Sequence, residues 1–134
     1  MQNITTFEVK ERYIYIPIFV TTECGTRRVL DAIMDTGAPR TEFSDEALYF
    51  AGFVPKPKES IKLQEGLSTQ KYANLVIPKI EICSHQIFNL DVCVSRFEKS
   101  WGIDALIGLD FFRKFCVTID YGKGHIITEP LKSN

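Results

Sequence analysis

The sequence has little of what would support nucleic-acid, membrane or metal chemistry. Sixteen basic residues stand against seventeen acidic ones, a formal net charge of −1. The total charge therefore favours neither nucleic acid nor a membrane surface. No apolar stretch approaches the length of a membrane span, and Met1-Gln2-Asn3-Ile4 does not begin a secretory signal. The expectation is a cytoplasmic protein with no membrane partner. Cys24, Cys83, Cys93 and Cys116 are widely spaced and include no C-x-x-C. Three of the four lie in apolar or alternating runs, which suits reduced thiols packed as small hydrophobes. Cys83, His85 and Cys93 match no zinc spacing and have no evident fourth ligand, so neither metal nor cofactor is expected. His85 falls in a turn and His125 begins a terminal strand, neither with a nucleophile in a recognisable motif. No repeat or low-complexity segment is present.

What is present is a chain of one-domain length, 134 residues, 45% apolar and 25% charged, enough to bury a core. Tyr13 to Val20 is rich in β-branched and aromatic residues and predicts a strand, with Pro17 placing it at an edge or bulge. Glu23-Cys24-Gly25-Thr26 makes a turn, and Arg27 to Met34 returns as a second strand ending at Asp35. Ser44 is an N-cap for a helix running to about Ala51, with Asp45 and Glu46 in its first turn. Ile61–Leu63 and Thr69–Ile77 predict a hairpin with Gly66 at its tip, and Lys79–Cys83 with Gln86–Val94 another across Ser84-His85. A short helix over Gly108–Phe115 and a final hairpin, Cys116–Tyr121 with His125–Thr128, complete the chain. The sum is mainly β, a small closed barrel with one or two short helices.

One tripeptide carries chemistry. Asp35-Thr36-Gly37 alone is weak, since average residue frequencies put it in roughly one chain in forty of this length by chance. Its context strengthens it. Ala32-Ile33-Met34 makes it a loop at a strand end, where catalytic groups concentrate. Ala38 and Thr41 extend it to D-T-G-A-x-x-T, and Leu106-Ile107-Gly108-Leu109-Asp110-Phe111-Phe112 answers it downstream.

On these residues the chain resembles the retropepsin-like aspartic proteases, the single-domain proteases that include the retroviral enzymes. The Gly108-Leu109-Asp110 element, the Ile119-Asp120 pair and Thr69-Gln70-Lys71 are most similar to the cellular and bacterial branch, with its ubiquitin-shuttle-protein domains. The resemblance covers about residues 13 to 129 and implies a closed acid-protease barrel with a flap hairpin. It also implies a homodimer, because the chemistry needs two carboxylates and each chain supplies one Asp35. Such a dyad shares a proton: the ionised partner draws a proton from water, and the protonated one donates to the scissile carbonyl. Aspartic proteases are the standard case of this shared-proton pair.

The resemblance assigns further roles. Asp35 is catalytic, while Thr36, Gly37, Ala38 and Thr41 support the active-site loop. Glu65, Gly66, Leu67 and Ser68 form the flap, and with Leu109 they contact an extended peptide or protein substrate that pairs as an added strand. The terminal runs Ile4–Val9 and His125–Thr128 are expected to pair with their symmetry mates. Two departures stand out. Retroviral enzymes carry acidic residues at the positions of Pro39 and Arg40 and an arginine at Leu109, so a dimer here is held differently. Glu42 takes a position that is often apolar, so its strand is expected to be less buried or to contact substrate.

The other aspartates have plainer readings. Asp110 caps the short helix, Asp120 anchors the turn after it, and Asp31 and Asp104 are exposed charges. Trp101 anchors the loop before the second motif. Against the protease stands an alternative, a catalytically silent dimeric module that binds a peptide or protein in the same groove. A domain that releases itself from a longer precursor is a third reading.

Overall fold

Nine strands and two short helices make up the computed structural model, which describes residues 2–57 and 69–132. The strands are β1 (Asn3–Thr6), β2 (Tyr15–Thr21), β3 (Arg27–Met34), β4 (Glu42–Ser44), β5 (Thr69–Ile82), β6 (His85–Phe97), β7 (Ala105–Ile107), β8 (Phe115–Asp120) and β9 (His125–Pro130). The helices are α1 (Asp45–Phe50) and α2 (Leu109–Phe112). Six strands close a barrel in the order β2-β3-β7-β4-β6-β5, and β1-β9-β8 form a separate three-stranded sheet. The mainly β, closed-barrel expectation holds.

Alternation builds the core. In β2 the side chains of Ile16, Ile18 and Val20 are buried, and across the barrel Ile77, Ile80, Ile82, Val92 and Ile107 join them with Phe43 and Phe111. Burying such residues contributes about 1.5–3 kcal/mol each against leaving them exposed. Pro17 sits in β2 where the ladder to β5 has not begun, since that pairing covers only Ile18–Val20. Its missing N–H therefore costs no bond to β5. Ser44 caps α1 as expected, its hydroxyl accepting from the Ala47 N–H at 3.4 Å.

The structure corrects the sequence reading at three places. Thr69–Ile77 and Lys79–Cys83 are one strand, β5, which pairs along its length with β6. The ladder skips Pro78, pairing Ile77 with Leu90 and Lys79 with Phe88, so the proline interrupts no bond. The turn lies at Cys83-Ser84, one residue earlier than expected, with both residues at positive φ (51° and 65°). That is the backbone of a type I′ turn, made here without the glycine or asparagine that signals it. The terminal runs pair within the chain: Ile4 faces Ile127, and β9 lies between β1 and β8. Both edges of β9 are thereby occupied within the chain, while β1 lies at the edge of the sheet.

The cysteines differ as well. All four are free; Cys83 and Cys93 are buried, whereas Cys24 and Cys116 are exposed. Burial pushes the Cys83 thiol above its ordinary pKa. Among the described residues no helix is long and apolar enough to cross a membrane.

Candidate active site

Strand β3 delivers Asp35 to the barrel end, and β7 runs parallel beside it, Ile33 opposite Leu106 and Met34 opposite Ile107. The Asp35 N–H continues this ladder, donating to the Ile107 carbonyl at 2.9 Å. The chain then turns: the Ala38 N–H donates to the Asp35 carbonyl at 3.1 Å, and the Gly37 N–H donates to Asp35 Oδ1, also at 3.1 Å. The carboxylate is thus oriented by its own loop and left half-buried, while Thr36 and Gly37 are exposed beside it.

The second segment crosses this loop at contact distance. Leu109 N–H donates to the Ala38 carbonyl at 2.8 Å. Gly108 lies so close that a Cβ there would stand 2.6 Å from the Ala38 carbonyl oxygen and 2.8 Å from the Arg40 carbonyl carbon. Only glycine permits that approach, which accounts for the Gly of the downstream motif. Thr41, fully buried, ties the crossing further: its hydroxyl accepts from the Gly108 N–H at 3.1 Å and donates to Asp110 Oδ1 at 2.7 Å. Ala38 is buried beneath the loop.

Asp110 is not the cap of α2 that was expected: the cap position is Gly108, with no side-chain bond, and Asp110 lies inside the first turn. Its Oδ1 does accept from the Phe111 N–H at 2.9 Å, but its Oδ2 also accepts from the Thr41 N–H at 2.9 Å. Sequence showed only an acid in a first helical turn, a position capping alone explains. Leu109 is half-buried at the start of α2. Glu65, Gly66, Leu67 and Ser68 lie outside the described residues.

Around the loop, the side chains that alternate away from the core form a small second cluster. Ile33 and Leu106 project to the same side of the sheet as Asp35, packed with Phe97 and Ile103 and flanked by half-buried Tyr15 and Trp101. Trp101 packs edge-on against Phe97 at 5.7 Å, anchoring its loop as expected.

Two polar positions depart from expectation. Glu42 is buried rather than loosened, bound by the Ser95 hydroxyl at 2.8 Å with Lys71 Nζ at 3.9 Å. Asp104 is half-buried rather than exposed; burial raises its carboxyl pKa, opposed by the hydrogen bond from the Asp31 N–H at 2.9 Å. Asp31 itself is exposed, and Asp120 anchors its turn by accepting from the Lys123 N–H at 2.9 Å. Sequence reasoning also missed a buried charge network. Asp45 accepts from Arg96 Nε at 2.7 Å and from the Tyr72 hydroxyl at 2.8 Å, both on Oδ2. Burial of the phenol and its bond to Asp45 push the Tyr72 pKa up to about 12. No group of three or more His, Cys, Asp or Glu able to hold a metal occurs among the described residues.

Comparison with solved structures places this geometry. A retropepsin-like aspartic protease from Rickettsia conorii superposes with a TM-score of 0.65 at 21% identity, over 96% of this chain and 90% of that one. The fold is retropepsin-like. The retroviral protease-like domain of Ddi1 from Leishmania major gives a TM-score of 0.57 at 14% identity, over 91% of this chain and 96% of the other. No protein-family model matches the sequence, and comparison with curated proteins finds no match, so the likeness lies in the fold.

Proposed function

We propose that the chain is an aspartic endopeptidase that works as a homodimer, with one Asp35 from each subunit forming the catalytic dyad. The observation that carries this reading is the crossing of the Asp35 loop with Gly108. A carboxylate is held there by the Gly37 N–H at a barrel end, half-open, with Thr36 and Gly37 on the surface beside it. That is half of a two-carboxylate site, and the retropepsin-like fold is one whose named neighbours include an aspartic protease. Two such loops facing across a two-fold axis bring like charges together, which forces the pair to share a proton. One carboxylate then activates water and the other donates to the carbonyl oxygen. Gly37 holds the carboxylate plane, and the Thr36 hydroxyl, exposed among the described residues, reaches toward the partner loop in this reading.

The substrate in this reading is an extended, partly apolar peptide. That preference follows the family resemblance; Ile33, Leu106, Ile103 and Phe97 form a buried apolar cluster that backs the strand end carrying Asp35. Leu109, with Glu65, Gly66, Leu67 and Ser68, is assigned to substrate contact. Asp35→Asn tests the proposal. Cleavage of a peptide library is expected to vanish while the unfolding midpoint and the sedimentation coefficient stay those of the parent. Undiminished turnover by the purified variant would overturn the reading, and tight peptide binding without turnover by the parent would favour the silent binding module.

A further inference from the structure

We propose that Asp110 is the positioning residue of the Asp35 loop, acting through Thr41 and Gly108; this rests on the aspartic-protease reading above. Its carboxylate accepts three hydrogen bonds. Oδ2 takes the Thr41 N–H at 2.9 Å, and Oδ1 takes the Thr41 hydroxyl at 2.7 Å and the Phe111 N–H at 2.9 Å. Only the last of these lies within α2. The other two join segments 69 positions apart in sequence and close the gap between the two motifs.

The geometry makes the chain of bonds directional. The Gly108 N–H donates to Thr41 Oγ1, which frees the Thr41 proton to point at Asp110. Thr41 is 0% exposed and Gly108 is buried, so water cannot replace a lost partner and an orphaned group there is costly. Every group aimed at Asp110 is a donor, so a carboxylate fits and a neutral amide of the same shape sets its own N–H₂ against one of them. The clip is thus a third tie at the crossing, beside Asp35 N–H to Ile107 and Leu109 N–H to Ala38. With all three made, the loop has no freedom to tilt the Asp35 carboxylate away from its counterpart. Asp110 touches nothing that reacts; it fixes the thing that does.

Thr41→Val and Thr41→Ser in the full chain provide the test, because they differ in one hydroxyl. Valine removes both hydroxyl bonds and serine keeps them. A misplacement of about 1 Å costs roughly 10²-fold, so Thr41→Val is expected to lower kcat by about that factor with KM within about threefold, and Thr41→Ser to stay within about threefold of the parent. Asp110→Asn is expected to fall between them. If Thr41→Val lowers only the unfolding midpoint and keeps the parent kcat per folded molecule, the clip is merely structural and the proposal is overturned. If the parent cleaves no peptide, the protease reading fails and amide hydrogen exchange decides this one separately. The Asp35 and Leu109 amides of Thr41→Val are expected to lose protection about tenfold more than amides of β2 and β5. Uniform loss across all of them overturns the proposal.

Discussion

Asp35 and Asp45 stand on either side of one short strand, and their surroundings could hardly differ more. Asp45 is 0% exposed and held by the Arg96 guanidinium and the Tyr72 hydroxyl. Asp35 is half-open and takes its one described side-chain bond from the Gly37 N–H of its own turn. A buried carboxylate with a cation and a phenol on its Oδ2, and an Oδ1 enclosed without a described partner, is shut off from solvent: its task is to hold α1 against the β5–β6 hairpin. A carboxylate held in orientation but left open still has lone pairs for a proton, a water or a second carboxylate. Charge and residue type are the same; the number of committed partners separates structure from chemistry.

The sharpest way to break that comparison is to neutralise each aspartate in turn. Asp35→Asn is expected to remove at least about 10³-fold of kcat, the scale of losing positioned acid–base catalysis, with little change in the urea midpoint. Asp45→Asn is expected to do the reverse. It weakens the bonds that the Arg96 guanidinium and the Tyr72 hydroxyl make to this carboxylate, at a cost of about 1.5–3 kcal/mol in urea unfolding. Equal losses of stability in the two single variants would erase the distinction.

Gly108→Ala tests the crossing from the other side. An added Cβ would meet the Ala38 carbonyl oxygen at 2.6 Å, and backbone cannot swing aside as a flexible side chain can. Overpacking of this kind costs about 1–3 kcal/mol. Because the displaced atoms belong to the Asp35 loop, kcat is expected to fall with stability, unlike in either aspartate variant. Urea unfolding and peptide turnover on one preparation give both numbers.

What could be read in the sequence was local. Strand β3 ends at Met34 as expected, because the apolar run Ala32-Ile33-Met34 meets a turn motif there. The Ser44 cap and the Gly108 element were equally legible, since each is specified by a few adjacent residues. What escaped was non-local. Asp45 resembled any acid in a first helical turn until a register shift between Lys71 and Ala73 brought Tyr72 to it from the β5–β6 hairpin. Pro78 looked like a strand end because nothing in the sequence says that the ladder skips that position. The pairing of β1 with β9 joins the two ends of the chain, and no pattern within either run reveals its partner. Thr41 and Asp110 were both visible, but their bond depends on the two motifs crossing.

His85 is an intermediate case, and its effect is expected to be the smallest. It is half-buried like Asp35 but partnered like Asp45. Its Nε2 lies 2.8 Å from the Thr128 hydroxyl, Asn3 Nδ2 is 3.2 Å from the same nitrogen, and the ring stacks on Phe115 at 4.2 Å. These contacts join the β5–β6 turn to the three-stranded sheet. Burial lowers the His85 pKa below 6.5, since a charged ring would lose its hydration there. The unfolded chain therefore binds the proton more readily than the folded one. The stability that neutral His85 contributes is fully present above the unfolded pKa and is lost as pH falls through the lower, folded value. Urea midpoints measured at about pH 7 and about pH 5 are expected to fall more in the parent than in His85→Gln, which keeps a hydrogen-bonding side chain but cannot titrate in that range. Identical slopes would assign the acid sensitivity to carboxylates and leave the joint between barrel and sheet indifferent to pH.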